Sequence, residues 1–363
     1  MQAHFKKNIL MENLGTKRRM LLHFWILAFI SAALFGASTP LGKFLLRDFS
    51  ASQLAGLFYL GAALGVSIPL LLSRRGLFGA RMDGRNILRL SCSIFFGGIL
   101  GPLFLLWGLE RASSASVSLW LNLELVGTVF LGHFFFRDQL GRWGWWGATL
   151  IGSASLFLSW GGGVAGWQAG MLLVLACLCW GLDNHYTALI DGILPMQSTL
   201  WKGLAAGSTN LAIGLVFTEF RGSPKDVGIA LVTGALAYGA SIALYITAAQ
   251  GLGAVRSQMI FATAPFIGLV LSWSFLGEHL STVHGLAAVC QMLGLALVFK
   301  DRHAHRHSHE QIEHTHLHSH NDGHHTHFHP DRDPKLKHSH SHRHERMEHS
   351  HPHWPDLHHR HRH

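Results

Sequence analysis

Two kinds of residue in this chain are placed where they could do chemistry. The first are ionisable side chains inside apolar runs. Glu124 lies midway along "SLWLNLELVGTVFLGHFFF", and Asp183 and Asn184 lie near the end of a run that closes "CLCWGLDNHYTALI". A charge in an apolar run is costly and marks an ion or substrate path by default. A carboxylate at Glu124 could exchange a proton or hold a cation. A hydrogen bond to Asn122 or to a neighbouring helix is the structural reading. Asp183 and Asn184 could bind a polar solute, because an Asp-Asn pair bonds to nearby backbone and can open a helix locally. The corresponding break earlier in the chain falls at Ser38, Thr39 and Pro40. A structural role near a helix end is the other reading of the pair. Lys202 and Arg256 stand near the ends of apolar runs, where long basic side chains snorkel to the interface. The alternative makes them partners of an anionic solute, or of Glu124 or Asp183.

The second kind is histidine. Of 29 histidines, 23 follow Lys300. They are His303, His305, His307, His309, His314, His316, His318 and His320; His324, His325, His327 and His329; His338, His340, His342 and His344; and His349, His351, His353, His358, His359, His361 and His363. Alternating His-X-His brings several imidazoles within reach of one ion, and imidazole suits Zn, Cu, Ni and Co. Imidazoles with ordinary pKa values of about 6.5 also titrate near cytoplasmic pH. The tail is polar and of low complexity, so disorder is expected without a ligand. The body needs no cofactor on this reading. Its own histidines, among them His133, His185, His279 and His284, are scattered and form no close ligand set.

These residues must be positioned by membrane helices. The chain has 363 residues, 49% hydrophobic and only 13% charged. From residue 301 on, nine Lys/Arg balance nine Asp/Glu, so the net charge of +9 belongs to the body. The basic residues sit between apolar spans and form no stripe with interleaved aromatics, which argues against nucleic acid. A body of this size and apolarity is not an ordinary soluble domain. Ten segments approach the roughly 20 apolar residues that a bilayer needs: 21–41, 51–72, 87–107, 113–136, 143–160, 168–188, 197–218, 227–248, 255–276 and 281–299. The first has no clear cleavage site and reads as a retained helix. Lys and Arg crowd the N-terminal segment (Lys6, Lys7, Lys17, Arg18, Arg19) and the second loop (Arg74, Arg75, Arg81, Arg85). That bias puts both termini in the cytoplasm. Cys92, Cys177, Cys179 and Cys290 lie in apolar runs and read as free structural thiols. Trp107, Trp120, Trp180 and Trp201 read as packing or interfacial residues, with cavity lining as the alternative. No nucleophile motif, nucleotide loop or CxxC site points to an enzyme.

The chain repeats itself. "FLGHFFFRDQLGRWGWWGATLIGSASLFL" ends one half and "VLSWSFLGEHLSTVHGLAAVCQMLGLALVF" the other, with Asp138 over Glu278 and Leu140 over Leu280. Two five-helix halves have opposite orientation, which makes an inverted repeat of the kind that alternates access around a central site. The stretches "SLWLNLELVGTVFLGHFFFRDQLGRWGWWGATLIGSASL" and "ATAPFIGLVLSWSFLGEHLSTVHGLAAVCQMLGLAL" resemble the EamA family of the drug/metabolite transporter superfamily, and "CWGLDNHYTALI" with the histidine tail resembles a bacterial subgroup of it. In the first repeat the family's usual proline is absent around Asn122-Leu123-Glu124-Leu125, and its Gly-Glu reads Arg137-Asp138.

The resemblance implies an all-α polytopic membrane protein of ten helices in two EamA repeats, followed by the disordered tail. The expected divisions are 1–20 (cytoplasmic), 21–160 (first repeat), 161–300 (second repeat) and 301–363 (cytoplasmic tail). The expected function is a secondary carrier of a small solute, proton-coupled at Glu124, with a metal-binding regulatory tail. A Ni, Co or Zn carrier and a non-transporting metal sensor or buffer are the alternatives. The lipid bilayer, a small solute and divalent metal ions are the expected partners, and a second copy of the chain is a candidate one.

Overall fold

The structure is a computed structural model. It describes residues 22–72, 82–135, 141–161, 163–190, 193–252 and 260–300, and four short stretches of the tail. The N-terminal basic residues, Asp138, Leu140 and Arg256 lie outside the described residues. The body is helical. Its helices are α1 (Leu22–Leu45), α2 (Ala51–Leu72), α3 (Gly84–Arg111), α4 (Ser114–Phe135), α5 (Arg142–Gly161), α6 (Gly163–Ala188) and α7 (Pro195–Phe217). Then come α8 (Pro224–Thr233, Gly234–Ala240 and Ser241–Leu252), α9 (Ala264–Leu276) and α10 (Thr282–Lys300).

Among the described residues seven helices are long and apolar enough to cross a membrane. They are α1 to α4, α6, α8 and α10. The segments α5 and α7 are helices of 20 and 23 residues that stand outside this set. In α7 the run carries Gln197, Ser198, Thr199, Lys202 and Asn210, which lowers its hydropathy. The helix α9 is apolar but shorter. Large apolar side chains remain exposed along the helices, including Ile26, Phe29, Ile68, Leu71, Phe157, Trp160, Met171 and Trp273. Side chains of this kind in quantity on an outer surface suit lipid and not water.

Glycine lets the helices meet. A Cβ on Gly56 would run into the Leu211 backbone, and one on Gly203 into the Tyr59 carbonyl, so α2 and α7 touch backbone to backbone. A Cβ on Gly234 would collide with the Phe58 carbonyl and one on Gly61 with Leu231, so α8 closes on α2 in the same way. Without a hydrophobic drive between helices in lipid, small residues at contacts supply the close packing. The central core gathers Leu54, Phe58, Leu106, Leu109, Leu119, Trp120 and Leu173.

Two helices are locally widened. Ile94–Leu100 in α3 and Gly234–Ala240 in α8 are π-helical turns. Their separation along the chain equals that of Asp138 and Glu278 in the sequence repeat. Such turns free carbonyls and cluster at functional positions.

The turn between α3 and α4 is clamped by charge. Lys43 Nζ donates to the Leu109 and Ala112 carbonyls at 2.5 and 2.8 Å, at the end of α3. Glu278 accepts from the Ser114 and Ala115 amides, each at 2.9 Å, and from the Ser114 hydroxyl. Cations at a helix C-terminus and carboxylates at an N-terminus are both favoured there. Glu278 follows Gly277, whose φ of 67° is left-handed and ends α9. Glu278→Ala is therefore expected to cost about 1–2 kcal/mol, the loss of a strong helix cap. Thermal unfolding of the purified chain in detergent measures it, and an unchanged midpoint would refute the clamp.

Four tail segments are extended: β1 (His303–His309), β2 (Glu313–His318), β3 (His338–Arg343) and β4 (Met347–His353). β1 pairs antiparallel with β4 and β2 with β3. Two-stranded ribbons standing alone are marginal in water. The histidines outside these four stretches lie outside the described residues.

Candidate functional site

The helix α4 is discontinuous. Its first part ends at Trp120, a turn occupies Leu121 and Asn122, and a second helical part starts at Leu123. Glu124 therefore sits in the first turn of a half-helix and not in the middle of an unbroken one. A matching turn at Ala262 and Thr263 precedes α9. The expected break at Ser38–Pro40 has a counterpart in a single turn residue, Ala37. The expected break at Asp183–Asn184 does not occur: α6 runs through both residues to Ala188. The pair stays helical because its side chains find partners on other helices and do not compete for their own backbone. The paired irregularities thus fall in α4 with α9 and in α3 with α8.

Four of the candidate positions named from sequence come together: Glu124, Asp183, Asn184 and Lys202. Asp183 is buried, and both of its oxygens accept from Lys202 Nζ, at 2.6 and 2.8 Å. Its Oδ1 also accepts from Ser93 Oγ at 2.5 Å and Thr187 Oγ1 at 2.9 Å. The next residue, Asn184, donates through Nδ2 to Glu124 Oε1 at 3.1 Å and to Thr128 Oγ1 at 3.2 Å. One dipeptide of α6 therefore links Lys202 of α7 to Glu124 of α4. Lys202 does not snorkel: both members of its ion pair are only 13% exposed at the side chain. Snorkelling loses here because a buried carboxylate lies within reach. Asn122 points elsewhere, donating to Gln291 Oε1 at 2.9 Å. Glu124 thus takes its hydrogen bond from Asn184 of the neighbouring helix and not from Asn122.

The π-turn of α3 completes this region. The Gly97 carbonyl accepts from Tyr59 Oη at 2.6 Å and Trp180 Nε1 at 3.1 Å, and the Gly98 carbonyl from Asn210 Nδ2 at 3.1 Å. Side chains of α2, α6 and α7 thereby satisfy the carbonyls that the wide turn frees. A Cβ at Gly97 would occupy the space of the Asp183 carboxylate. Sequence reasoning missed Ser93, Gly97, Thr187 and Tyr59. The only available signal was the Gly-Gly pair at 97–98 in the third span. Trp180 and Trp120 are buried core residues, while Trp107 is 36% exposed. All four cysteines are free, and Cys177 and Cys179 are buried. His185 Nε2 lies 3.0 Å from the Thr128 carbonyl. Among the described residues no three of His, Cys, Asp or Glu gather into a metal-binding group.

The model of the EamA-like transporter family matches this chain twice, over residues 23–160 and 167–300. The chain belongs to the EamA-like transporter family. It is a multi-pass membrane protein, and the two matches bracket the halves seen in the sequence. An uncharacterized transporter of Methanothermobacter thermautotrophicus is 23% identical over 239 residues, 63% of this chain and 69% of that one. One from Synechocystis is 24% identical over 224 residues, 55% of this chain and 68% of its own length. A protein of known crystal structure aligns with a TM-score of 0.56 at 14% identity, covering 76% of this chain and 97% of the other. That likeness speaks to fold alone.

Proposed function

We propose that this EamA protein is a secondary carrier that moves a small solute across a bacterial-type inner membrane by alternating access. Ten spans form two inverted five-helix halves, and both termini lie in the cytoplasm. The observation that carries the reading is the chain Lys202–Asp183–Asn184–Glu124, which joins α4 of the first half to α6 and α7 of the second. A buried polar link between halves, beside paired helix discontinuities, is where transporters of this architecture hold cargo and coupling ion. Glu124 is the coupling group. Its Oε1 is held by Asn184, while Oε2 accepts no hydrogen bond from the described residues, so that oxygen is available to a proton or to cargo. The test uses proteoliposomes that hold the full chain and a pH-sensitive dye. Exposure to pools of small metabolites should move protons with at least one pool, and Glu124→Gln should abolish the signal. Proton movement that survives the substitution would overturn the assignment.

The tail binds divalent transition metal in this reading and adjusts the carrier without supplying its pathway. The register of the extended segments sets histidine opposite histidine at His303–His353, His305–His351 and His307–His349, and again at His314–His342, His316–His340 and His318–His338. Imidazole is a good ligand for Zn, Ni and Cu, so repeated His-X-His supplies many ligands in a short length of chain. Deletion after Lys300 should remove most Ni or Zn bound by the purified chain, measured by equilibrium dialysis. It should leave proton-coupled solute movement intact. Loss of solute movement with full metal binding by the truncated body would instead favour a metal carrier.

A further inference from the structure

The break in α4 has no proline or glycine to cause it. The chain there reads Leu121-Asn122-Leu123-Glu124-Leu125, and leucine favours a continuous helix. In α9 the cause is covalent. Pro265 stands in the first turn, has no N–H, and leaves the Phe261 carbonyl without its helical partner. The sequence repeat that sets Asp138 over Glu278 sets Leu125 over Pro265, so α4 lacks this device. The same register sets Asn122 over Ala262 and Ile151 over Gln291. Ile151 and Ala262 are buried in one apolar cluster. Asn122 and Gln291 are buried too, but as a hydrogen-bonded pair, Nδ2 to Oε1 at 2.9 Å. The polar pair therefore falls at the break that has no proline.

Gln291 of α10 also grips the backbone of the break. Its Nε2 donates to the Leu119 carbonyl at 3.1 Å and to Ser155 Oγ of α5 at 3.3 Å. Leu119 carries the carbonyl on which the turn closes. It accepts from the Asn122 amide at 3.2 Å, three residues on and not four. The Glu124 amide makes the same short step, to the Leu121 carbonyl at 3.0 Å. A continuous helix would instead pair Leu119 with Leu123 and Trp120 with Glu124. Successive residues turn by about 100° on a helix, so that re-pairing swings Glu124 away from Asn184 Nδ2, now 3.1 Å from its Oε1.

We infer that Gln291 is a positioning residue: with Asn122 it holds α4 open, as Pro265 holds α9 open, and so fixes where Glu124 points. This rests on the carrier reading above, in which Glu124 is the working group. It makes the last helix of the second half the brace for the coupling residue of the first.

The test borrows the apolar pair of the other repeat. Asn122→Ala with Gln291→Ile strands no buried polar group, because Ser155 Oγ keeps the Ile151 carbonyl at 3.0 Å and the Leu119 carbonyl keeps the backbone amide at 122. Replacing both partners of a buried hydrogen bond by apolar groups is nearly neutral. The double variant should therefore melt within about 3 °C of the parent chain in detergent. The rate at which a hydrophobic carbodiimide labels Glu124, read by mass spectrometry, should nevertheless change by about threefold or more. Adding Leu125→Pro should return that rate to the parent's, because proline in the first turn restores the break. An unchanged rate in the double variant, or a changed one that the proline does not restore, overturns the proposal. Leu125→Pro alone serves if the double variant does not fold: it should fold and label like the parent, and its failure to fold overturns the proposal. Labelling needs neither cargo nor proton movement. The expected pattern in a chain that moves no protons would sink the carrier and leave the brace standing. Proton movement lost in Glu124→Gln, with labelling indifferent to Gln291, would sink the brace and leave the carrier.

Discussion

Glu124→Gln is expected to reduce solute-linked proton movement in proteoliposomes to the level of empty vesicles, while the variant folds and purifies like the parent chain. The substitution is nearly isosteric. A glutamine carbonyl can still accept from Asn184 Nδ2, which lies 3.1 Å from Oε1. What it removes is the group that takes and releases a proton, and with it the differential interaction that ties two conformations to protonation. A structural role for Glu124 predicts the reverse pattern. In that case Gln would preserve movement, and only a change that loses the Asn184 hydrogen bond, such as Glu124→Leu, would fail. The two substitutions together, assayed for proton movement and for melting temperature, separate coupling from packing.

Lys202→Met carries the second large expectation. It leaves Asp183 buried without its cation, with only the Ser93 and Thr187 hydroxyls for compensation. Breaking one side of a buried ion pair typically costs about 3–5 kcal/mol, because the remaining charge stays desolvated. Removing both charges costs much less, so Lys202→Met with Asp183→Asn should regain most of the lost stability. A double-mutant cycle in detergent measures the coupling. If the single and double variants unfold alike, the pair does not act as a unit. The reach extends to transport. Asn184 is held on the same helical turn as Asp183, so a shift there moves the donor that fixes Glu124.

Much of the frame was legible in the sequence for a plain physical reason. A bilayer demands apolar runs of a set length, and composition alone reports them. Helix α2 coincides with the expected span at 51–72. Glu124, Asp183 and Asn184 drew notice because ionisable groups are rare in such runs. The doubling of the chain was visible at Asp138 and Glu278, and the family match over 23–160 and 167–300 falls on the same halves. Partnerships were not legible. Lys202 reads as an interfacial residue until α7, packed on α2 and on the π-turn of α3, brings its long side chain within reach of Asp183. Asn122 reads as a neighbour of Glu124, yet the turn at 121–122 directs it to Gln291 on a distant helix. The π-turns left almost no trace, because they arise where glycines in α3 and α8 let other helices press close.

The sequence by itself therefore determined that this is a helical membrane protein of repeated design, with a few buried ionisable groups and a histidine-rich tail. Only the tertiary structure decided which of those groups share a site. Hydropathy and spacing act along one chain segment. Hydrogen bonds between Lys202, Asp183, Asn184 and Glu124 depend on the approach of three helices that the sequence separates.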